Sequence, residues 1–295
     1  MVSEFHIPED WLHVHHEVTA SPGTVMIMGA PDTGKSTFAH FLVYKSMQQG
    51  LRTSFIDGDM GQSIVGPPTT LGMALLTKPP IDMGQVRCDC LYFIGATSPA
   101  GHLLATAVGV KRLVEKAKEG GASMVVVDTT GLVAGEMGFE LKFYKIDVLC
   151  PQHIIAFQKA TEIEHILRGF KGRKDIKIHL LSPTKWVRSR SPEVRRAYRE
   201  KRFREYFQCC IRRPVSLDAV EFIHPKLPLL NKEGLDDRFK GILLGLNDED
   251  YFTLGLGILE GFNRGNNELC IVTPLDSLVN VKYIHLGHIS LSINV

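Results

Sequence analysis

The sequence predicts an α/β fold, with a parallel sheet and flanking helices, followed by a small β-rich C-terminal domain. Short apolar runs rich in β-branched residues recur along the first two thirds of the chain, and segments of helical length separate several of them. This alternation is typical of parallel strands joined by crossover helices. After residue 213, short apolar runs alternate with Gly, Pro and Asn, a pattern that is typical of strands joined by turns.

The predicted elements fall into two groups along the chain. In the first group we expect strands at 25–28, 53–56, 91–94, 124–127 and 178–181, and helices at 35–49, about 101–119 and about 160–170. In the second group we expect strands at 241–246, 251–259, 269–273 and 281–286. The predicted organisation is therefore a short lead-in over 1–22, a core domain over 23–210 and a β-rich domain over 211–295.

Composition excludes several classes of protein. The chain has 295 residues, 44% of them hydrophobic, and a formal net charge of +2, which allows a large buried core. No apolar stretch approaches the roughly 18 residues of a membrane helix, and the N-terminus lacks a signal-peptide pattern. We therefore expect a cytoplasmic protein, or a nuclear one in a eukaryote, with no membrane partner. The six cysteines include no C-x-x-C pair, so we expect reduced, structural thiols rather than zinc ligands.

Residues 29–36 read Gly-Ala-Pro-Asp-Thr-Gly-Lys-Ser and match the phosphate-binding pattern G-x-x-x-x-G-K-[ST], between a predicted strand and a predicted helix. Gly29 and Gly34 allow a tight turn whose backbone N–H groups, together with the helix N-terminus, bind an anion. In this pattern Lys35 reaches the β- and γ-phosphates and Ser36 binds Mg²⁺. The core is therefore predicted to be a P-loop NTPase fold that binds ATP or GTP with Mg²⁺. The predicted nucleotide-binding residues are Gly29, Asp32, Thr33, Gly34, Lys35, Ser36 and Thr37.

Three aspartates that follow predicted strands are candidates for the acid that accompanies a phosphate loop. Asp57 and Asp59 come after the second strand, and Asp128 directly follows the run Met-Val-Val-Val. Because ligands bind at the carboxyl ends of parallel strands, an acid at either place can hold Mg²⁺ or its waters, or orient an attacking hydroxyl. The alternative for each aspartate is to cap a turn or a helix.

Two other classes of nucleotide-binding protein stay open. Residues 128–131 read D-T-T-G, the D-x-x-G pattern of switch-type GTPases, so a regulatory switch NTPase is one alternative. Against it, the chain has no N-K-x-D or T-K-x-D for guanine recognition, since residues 184–187 read T-K-W-V. The second alternative is a nucleic-acid adaptor that holds a nucleotide without turnover.

Positive charge is concentrated in one tract. Residues 168–213 contain sixteen Lys or Arg and four acidic residues, a net charge of +12, so the rest of the chain carries −10 if the total is +2. A charge run is usually a solvated helix face, but little compensating acid lies within this one. The tract therefore favours a polyanion partner.

A helix inside this tract is a candidate lid, at about 188–207. Ser191 as N-cap and Pro192 at the first helical position predict its start. Arg195, Arg199 and Arg202 are spaced at i, i+4 and i+7 and share one face, with no acidic partners expected at matching spacing. Arginines bind phosphate oxygens bidentately and can neutralise charge during phosphoryl transfer. The alternative is an exposed helix with ordinary ion pairs. The aromatic residues spaced along this helix are expected to pack in the core; they are Tyr198, Phe203, Tyr206 and Phe207.

Five motifs occur in order over roughly residues 23–210. They are the phosphate loop, Asp-Met-Gly-Gln at 59–62, Tyr-Phe-Ile-Gly-Ala-Thr-Ser-Pro at 92–99, Thr-x-Gly at 129–131, and a helix with Arg190, Arg195 and Arg199 that ends in Arg-Glu-Tyr-Phe at 204–207. Together they resemble the polynucleotide 5′-hydroxyl kinases. That family includes RNA kinases associated with tRNA splicing, pre-mRNA 3′-end processing and ribosomal RNA maturation.

The resemblance implies an enzyme that transfers the γ-phosphoryl group of ATP or GTP, with Mg²⁺, to the 5′-hydroxyl end of single-stranded RNA or DNA. It implies that Asp59 is the Walker B acid, a metal ligand together with Ser36, and the base for the substrate hydroxyl. The catalytic residues it implies are Lys35, Asp59, Arg190, Arg195 and Arg199. The substrate and clasp residues it implies are Gln62, Thr97, Ser98, Asp128, Thr129, Thr130 and Gly131. An endonuclease or another RNA-processing protein is the expected partner.

The chain departs from the family pattern at two places. The family's clasp commonly ends in Trp, whereas this chain has Leu132, so the resemblance does not extend to base stacking by that indole. Eukaryotic relatives carry a substantial N-terminal domain, and the short lead-in here suggests a minimal bacterial or archaeal form. Within the lead-in we expect Trp11 to cover an apolar edge of the core rather than to stack on a base.

Overall fold

The computed structural model describes residues 7–184, 189–223, 239–263 and 265–292. Its helices are α1 (Glu9–Ala20), α2 (Lys35–Gln48), α3 (Leu103–Glu119), α4 (Gly135–Leu149), α5 (Glu164–Leu167) and α6 (Pro192–Tyr206). The first seven strands are β1 (Thr24–Gly29), β2 (Thr53–Gly58), β3 (Thr70–Leu75), β4 (Cys90–Phe93), β5 (Met124–Thr129), β6 (His153–Phe157) and β7 (Lys177–Leu181). The others are β8 (Ile211–Ser216), β9 (Glu221–Ile223), β10 (Ile242–Asn247), β11 (Thr253–Asn263), β12 (Glu268–Thr273) and β13 (Tyr283–Ser290).

All the described strands belong to one mixed sheet. Its order is β7-β6-β1-β5-β2-β3-β4-β11-β10-β13-β9, with β12 paired to β11 and β8. The five strands from β7 to β2 are parallel, and β3 reverses direction between β2 and β4. The predicted α/β fold with a parallel core and C-terminal strands is confirmed, although the sheet as a whole is mixed rather than parallel.

The central strands have apolar residues on both faces because helices cover both sides of the sheet. Every residue of β1, β2, β5 and β6 is buried. One apolar cluster joins the sheet to α3 and α4, and a second joins it to α1 and α2. These two layers fix the carboxyl ends of β1, β2 and β5 next to one another, where the phosphate loop begins.

The predicted strands of the core are all present, but several elements were missed. The sequence analysis did not predict α1, α4, β3 or β6. The helix expected at about 160–170 is only the four-residue α5. The predicted helix start at Ser191 is confirmed, since the Ser191 hydroxyl accepts a hydrogen bond from the Val194 N–H group at 3.4 Å.

The C-terminal strands continue the core sheet rather than forming a sheet of their own. β11 joins β4 through the pair Thr253 and Leu91, and Phe93 of β4 packs in one apolar cluster with Phe203, Phe207 and residues of β10 and β11. Phe203 and Phe207 thus lie in the core, and Tyr206 packs against the same cluster. A domain boundary between residues 210 and 211 stays a prediction.

The lead-in contributes a helix to the core. Trp11 in α1 is 6% exposed and packs edge-on against Phe38 at 5.1 Å and Phe157 at 6.4 Å between ring centroids. Trp11 therefore covers an apolar edge of the sheet, as expected. Over the described ranges, no helix combines the length and apolarity needed to cross a bilayer, and all six cysteines are free.

Candidate active site

The phosphate loop connects β1 to α2 and requires glycine at both glycine positions of the pattern. A Cβ atom on Gly29 would lie 2.5 Å from the Phe157 carbonyl oxygen. Gly34 precedes the helix with φ of 95°, a left-handed conformation that other residues rarely adopt. Inside the loop, the Thr33 hydroxyl donates to the Ala30 carbonyl at 2.9 Å. These contacts fix the shape of the loop.

Lys35 lies inside this loop. Its ammonium group donates to the Ala30 carbonyl at 2.6 Å, and only 7% of the residue is exposed. Burial lowers the pKa of Lys35, and the negative charges of Asp128, Asp59 and Asp32 oppose that shift. A phosphate entering the loop would therefore meet a poorly solvated cation, which strengthens the attraction between the two.

Asp57 has a structural role. It is buried, and its carboxylate accepts hydrogen bonds from the N–H groups of Asp59, Ile64 and Val65 at 3.1, 2.6 and 3.0 Å. Burial raises the pKa of Asp57 to about 7 despite these bonds. For this residue the turn-capping alternative describes the geometry, and the turn that it holds carries Asp59.

Asp59 and Asp128 are the acids that face the phosphate loop. One Asp59 oxygen, Oδ1, accepts from the N–H groups of Gly61 and Gln62 at 3.0 and 3.1 Å. Burial raises the pKa of Asp128, while Lys35 and a hydrogen bond from the Ser36 hydroxyl oppose the shift. Asp128 Oδ1 is buried and has no partner among the described residues.

This donor set fits Mg²⁺ bound together with a nucleotide. Ser36 lies close enough to Asp128 to lower the pKa of its carboxyl, and the unpartnered Asp128 oxygen provides a further oxygen ligand or a contact for a bound water. Across the described residues, no group of three His, Cys, Asp or Glu side chains is arranged to hold a metal. Mg²⁺ in nucleotide sites normally takes only one or two protein carboxylates, with phosphate and water oxygens completing the octahedron.

The turn after β5 lies directly against the phosphate loop. A Cβ atom on Gly131 would lie 2.6 Å from the backbone nitrogen of Pro31, and the Thr129 hydroxyl donates to the Ile27 carbonyl at 2.7 Å. The Thr130 hydroxyl is buried without a partner among the described residues. This contact with the loop is what a clasp over bound phosphates requires.

Two buried lysines of α4 were missed by the sequence analysis. The Lys142 ammonium group donates to Thr129 Oγ1 at 2.7 Å and to the Thr130 carbonyl at 2.6 Å, so it holds the clasp turn from below. Lys145 is also fully buried, and burial lowers its pKa to about 8, opposed by the charge of Asp59. The available signal was two lysines three residues apart, each flanked by apolar residues, but the segment was not predicted as a helix.

Helix α6 crosses the loop after β2. Tyr198 donates to the Ser63 carbonyl at 2.8 Å, and Arg202 donates to the carbonyls of Ile64 and Gly66 at 3.2 and 2.8 Å. At its start, Arg195 forms an ion pair with Asp32 of the phosphate loop, with 2.6 Å between Nη2 and Oδ2. The structure therefore brings the candidate lid to the phosphate loop. Residue 188, where the lid was predicted to begin, and residues 185–187 lie outside the described residues.

The arginine stripe is not uniform, and one expectation about it is wrong. Arg202 has an acidic partner, since Glu205 lies three residues later with 3.7 Å between the charged groups. Arg190 and Arg199 form no ion pair with a described side chain, which leaves their guanidinium groups available. Within the stripe, Arg202 anchors the helix and Arg195 is paired with Asp32, so Arg199 is the member that has no ion pair with a described side chain.

The remaining substrate candidates lie in or next to the turn that carries Asp59. The Gln62 amide donates to the Arg195 carbonyl at 3.3 Å, which links the turn after β2 to the lid. A Cβ atom on Gly61 would lie 2.5 Å from the Thr97 carbonyl oxygen, so the segment that contains Thr97 borders the same turn. Ser98 is exposed next to it.

Sequence comparison identifies the family. The profile described as "mRNA cleavage and polyadenylation factor CLP1 P-loop" matches residues 29–209, which is more than half of the chain. The chain belongs to the CLP1 P-loop family. The polyribonucleotide 5′-hydroxyl-kinase of Pyrococcus furiosus is 27% identical over 334 residues, covering 97% of this chain and 93% of the relative. The enzyme of the same name in Methanocaldococcus jannaschii is also 27% identical, covering 98% and 93%.

Structural comparison agrees with this CLP1-type fold. The wild-type Clp1p structure in complex with Pcf11p has a TM-score of 0.68 over 97% of this chain and 80% of that chain, at 13% sequence identity. At that identity the likeness shows the fold alone. The CLP1 homologue of Nematostella vectensis is 29% identical over 201 residues, covering 65% of this chain and 46% of the relative. The similarity to archaeal kinases thus extends over the whole chain, whereas the similarity to this eukaryotic protein is partial.

Proposed function

We propose that this protein is a polynucleotide 5′-hydroxyl kinase, which transfers the γ-phosphoryl group of ATP or GTP to the 5′-hydroxyl end of RNA or DNA. The observation that carries the proposal is the junction of the phosphate loop with α6, where Arg195 contacts Asp32. A switch NTPase or a nucleotide-holding adaptor does not need arginines fixed over its phosphate loop. Full-length similarity to proteins named as polyribonucleotide 5′-hydroxyl-kinases supports the same conclusion.

Phosphoryl transfer depends mainly on positioning and on charge neutralisation. Lys35 would exchange the Ala30 carbonyl for β- and γ-phosphate oxygens, and the cations Arg190, Arg195 and Arg199 would neutralise the moving group from the lid side. The clasp residues Thr129, Thr130 and Gly131 would close the loop from the opposite side, supported by Lys142. Ser36, Asp59 and Asp128 would hold Mg²⁺, which would supply positive charge to the phosphates.

Asp59 is the proposed base for the acceptor hydroxyl. Its Oδ1 atom is fixed by the N–H groups of Gly61 and Gln62, so the carboxylate has a defined orientation. Its other oxygen, Oδ2, forms no hydrogen bond with the described residues and is free to accept the proton of the 5′-hydroxyl. Gln62, Thr97 and Ser98 border the space beside Asp59 and are the proposed contacts of the acceptor strand.

The test is transfer of label from γ-labelled ATP or GTP to a 5′-hydroxyl oligonucleotide in the presence of Mg²⁺. We expect Lys35→Ala to reduce transfer by at least about 100-fold, because it removes a cation from the developing charge, and to leave the fold intact by circular dichroism. Lys45→Ala, on the same helix α2 but outside the phosphate loop, is the matched control and should retain activity. A folded Lys35→Ala protein with wild-type transfer would contradict the proposal, and release of free phosphate without labelled strand would favour the switch NTPase.

A further inference from the structure

Asp32 has more contacts with the lid than with its own loop. Its Oδ2 atom accepts hydrogen bonds from Arg195 Nη2 at 2.6 Å, from the Arg190 N–H group at 3.1 Å and from the Ser189 hydroxyl at 3.4 Å. These three donors lie within seven residues of one another, at the start of α6 and just before it. One carboxylate oxygen therefore accepts hydrogen bonds both from the first turn of α6 and from residues 189 and 190, which lie just before the helix.

A carboxylate at this position is unexpected for a loop that binds phosphate. Its negative charge lies close enough to Lys35 to influence the pKa of that lysine, and it would repel an incoming phosphate. Because this repulsion opposes phosphate binding, we expect the carboxylate to form a favourable interaction elsewhere. The ion pair with Arg195 supplies one, because 70% of the Arg195 side chain and 80% of the Asp32 side chain are shielded from solvent, and such partly buried charge-assisted hydrogen bonds are strong.

The contact leaves most of the Arg195 guanidinium group unused. Only Nη2 bonds to Asp32, and the other N–H groups form no hydrogen bond with the described residues. Arginine carries five N–H donors in a planar arrangement, so an arginine fixed through one nitrogen can still bind a phosphoryl group with the others. The bond to Asp32 thus leaves the other donors of Arg195 available for a ligand.

We propose that Asp32 is a positioning residue that fastens the start of α6 to the phosphate loop and orients Arg195 for the transferred phosphoryl group. This inference rests on the proposed kinase function. The rest of α6 is held independently by Tyr198 and Arg202, so the role of Asp32 is confined to the first turn of the lid. On this proposal, the contact between the first turn of the lid and the phosphate loop depends on one carboxylate.

The variant that tests this is Asp32→Asn. Asp32 has φ of 52°, a left-handed conformation that Asn adopts readily, so the loop can keep its shape while the charge is lost. The matched control is Glu200→Gln, because Glu200 also accepts a hydrogen bond from an arginine of α6, Arg196, at 2.8 Å but does not contact the phosphate loop. Unchanged melting temperatures would show that both variants are folded.

The first readout is hydrogen exchange of the amides of residues 190–196 in the nucleotide-free protein, which does not require activity. We expect Asp32→Asn to speed exchange there by about tenfold, as the loss of charge-assisted hydrogen bonds predicts, and Glu200→Gln to change it much less. Exchange that is the same in Asp32→Asn and wild-type protein would overturn the proposal. This result would stand even if the protein proved to transfer no phosphate.

The second readout separates positioning from nucleotide binding. We expect Asp32→Asn to lower kcat for 5′-end transfer by about tenfold, because Arg195 loses its orientation, while the Kd for the nucleotide stays the same or falls, because a negative charge near the phosphates is gone. If wild-type protein is an active kinase and Asp32→Asn has the same kcat, the positioning role is wrong. If wild-type protein has no activity, the proposed function fails while the exchange experiment still tests the contact.

Discussion

The two halves of the basic tract have different environments. In the first half, residues 168–184, Lys171 pairs with Glu164 at 2.8 Å, Arg173 with Asp175 at 2.6 Å and Lys177 with Glu17 at 2.7 Å, all away from the phosphate loop. In the second half, residues 189–213, several cations also pair with acids, but Arg195 pairs with an acid of the phosphate loop, and Arg190 and Arg199 pair with no described acid. The second half therefore differs by its contact with the phosphate loop, which makes α6 the candidate anion-binding surface.

Net charge counted along the sequence overestimates the basic surface because it omits acidic partners that are distant in the chain. Glu17 is 160 residues from Lys177 and therefore does not enter a local charge count. We propose that the expected polyanion binds at α6 and the residues just before it. Ion pairs such as those of the first half contribute little to stability and suppress the local potential.

The largest expected effect is a loss of phosphoryl transfer when an unpaired arginine of the second half is replaced. We expect Arg199→Ala to lower kcat about 100- to 1000-fold, the usual consequence of removing one donor that stabilises transition-state charge. Arg173→Ala, the matched change in the first half, should leave kcat unchanged. Single-turnover transfer measures both, and equal losses in the two variants would break the distinction between the halves.

A smaller effect is expected where arginine anchors the lid instead of neutralising phosphate. Arg202→Ala removes the hydrogen bonds to the carbonyls of Ile64 and Gly66, and we expect it to lower the free energy of unfolding by about 1–2 kcal/mol. Arg204→Ala, at an exposed position of the same helix, should change it by less than about 0.5 kcal/mol. Urea denaturation measures both variants. Identical stabilities would show that Arg202 does not anchor α6.

The α6 arginines also show which parts of the site the sequence could predict. Local patterns located the phosphate loop, the N-cap Ser191 and the helix that follows each of them. The contacts that give each arginine its role depend on residues distant in the chain, such as Asp32 for Arg195 and Ile64 for Arg202. Helical spacing placed Arg195, Arg199 and Arg202 on one face. It could not show that Arg195 pairs with Asp32, that Arg202 binds backbone carbonyls, or that Arg199 has no described acidic partner.

Helix α4 was missed for a different physical reason. Its sequence places Lys142 and Lys145 among apolar residues, and a buried lysine has no helical signature of its own. Both lysines are tolerated there because of tertiary neighbours. Thr129 and Thr130 accept the hydrogen bonds of Lys142, and the nearby charge of Asp59 partly opposes the effect of burial on Lys145. The clasp residues were predicted, but the hydrogen bonds that Lys142 of α4 donates to them were not.

The smallest expected effect concerns pH and the first half of the tract. The hydrogen bond from Lys177 lowers the pKa of Glu17. A carboxylate with a lowered folded-state pKa stabilises the protein above its unfolded pKa, and this contribution is lost as pH falls through the folded-state value. We expect Glu17→Gln to lower stability at pH 7 by less than about 1 kcal/mol and to match the wild type in acid, below the folded-state pKa of Glu17.

Thermal unfolding of Glu17→Gln between pH 7 and pH 3 measures this difference. Transfer activity of the variant at pH 7 should equal that of the wild type, because Glu17 holds Lys177 and does not face the phosphate loop. A loss of transfer without a loss of stability would assign the first half of the tract a direct part in substrate binding.

The most direct test of the central claim compares two acceptors that differ only at the 5′ end. Wild-type protein, Mg²⁺ and γ-labelled nucleotide are incubated with an oligonucleotide that carries a 5′-hydroxyl or with the same strand carrying a 5′-phosphate, and both strand label and free phosphate are quantified. The account predicts label on the 5′-hydroxyl strand alone, with RNA and DNA compared in parallel. Equal release of free phosphate in the two reactions, with no label on either strand, would contradict it.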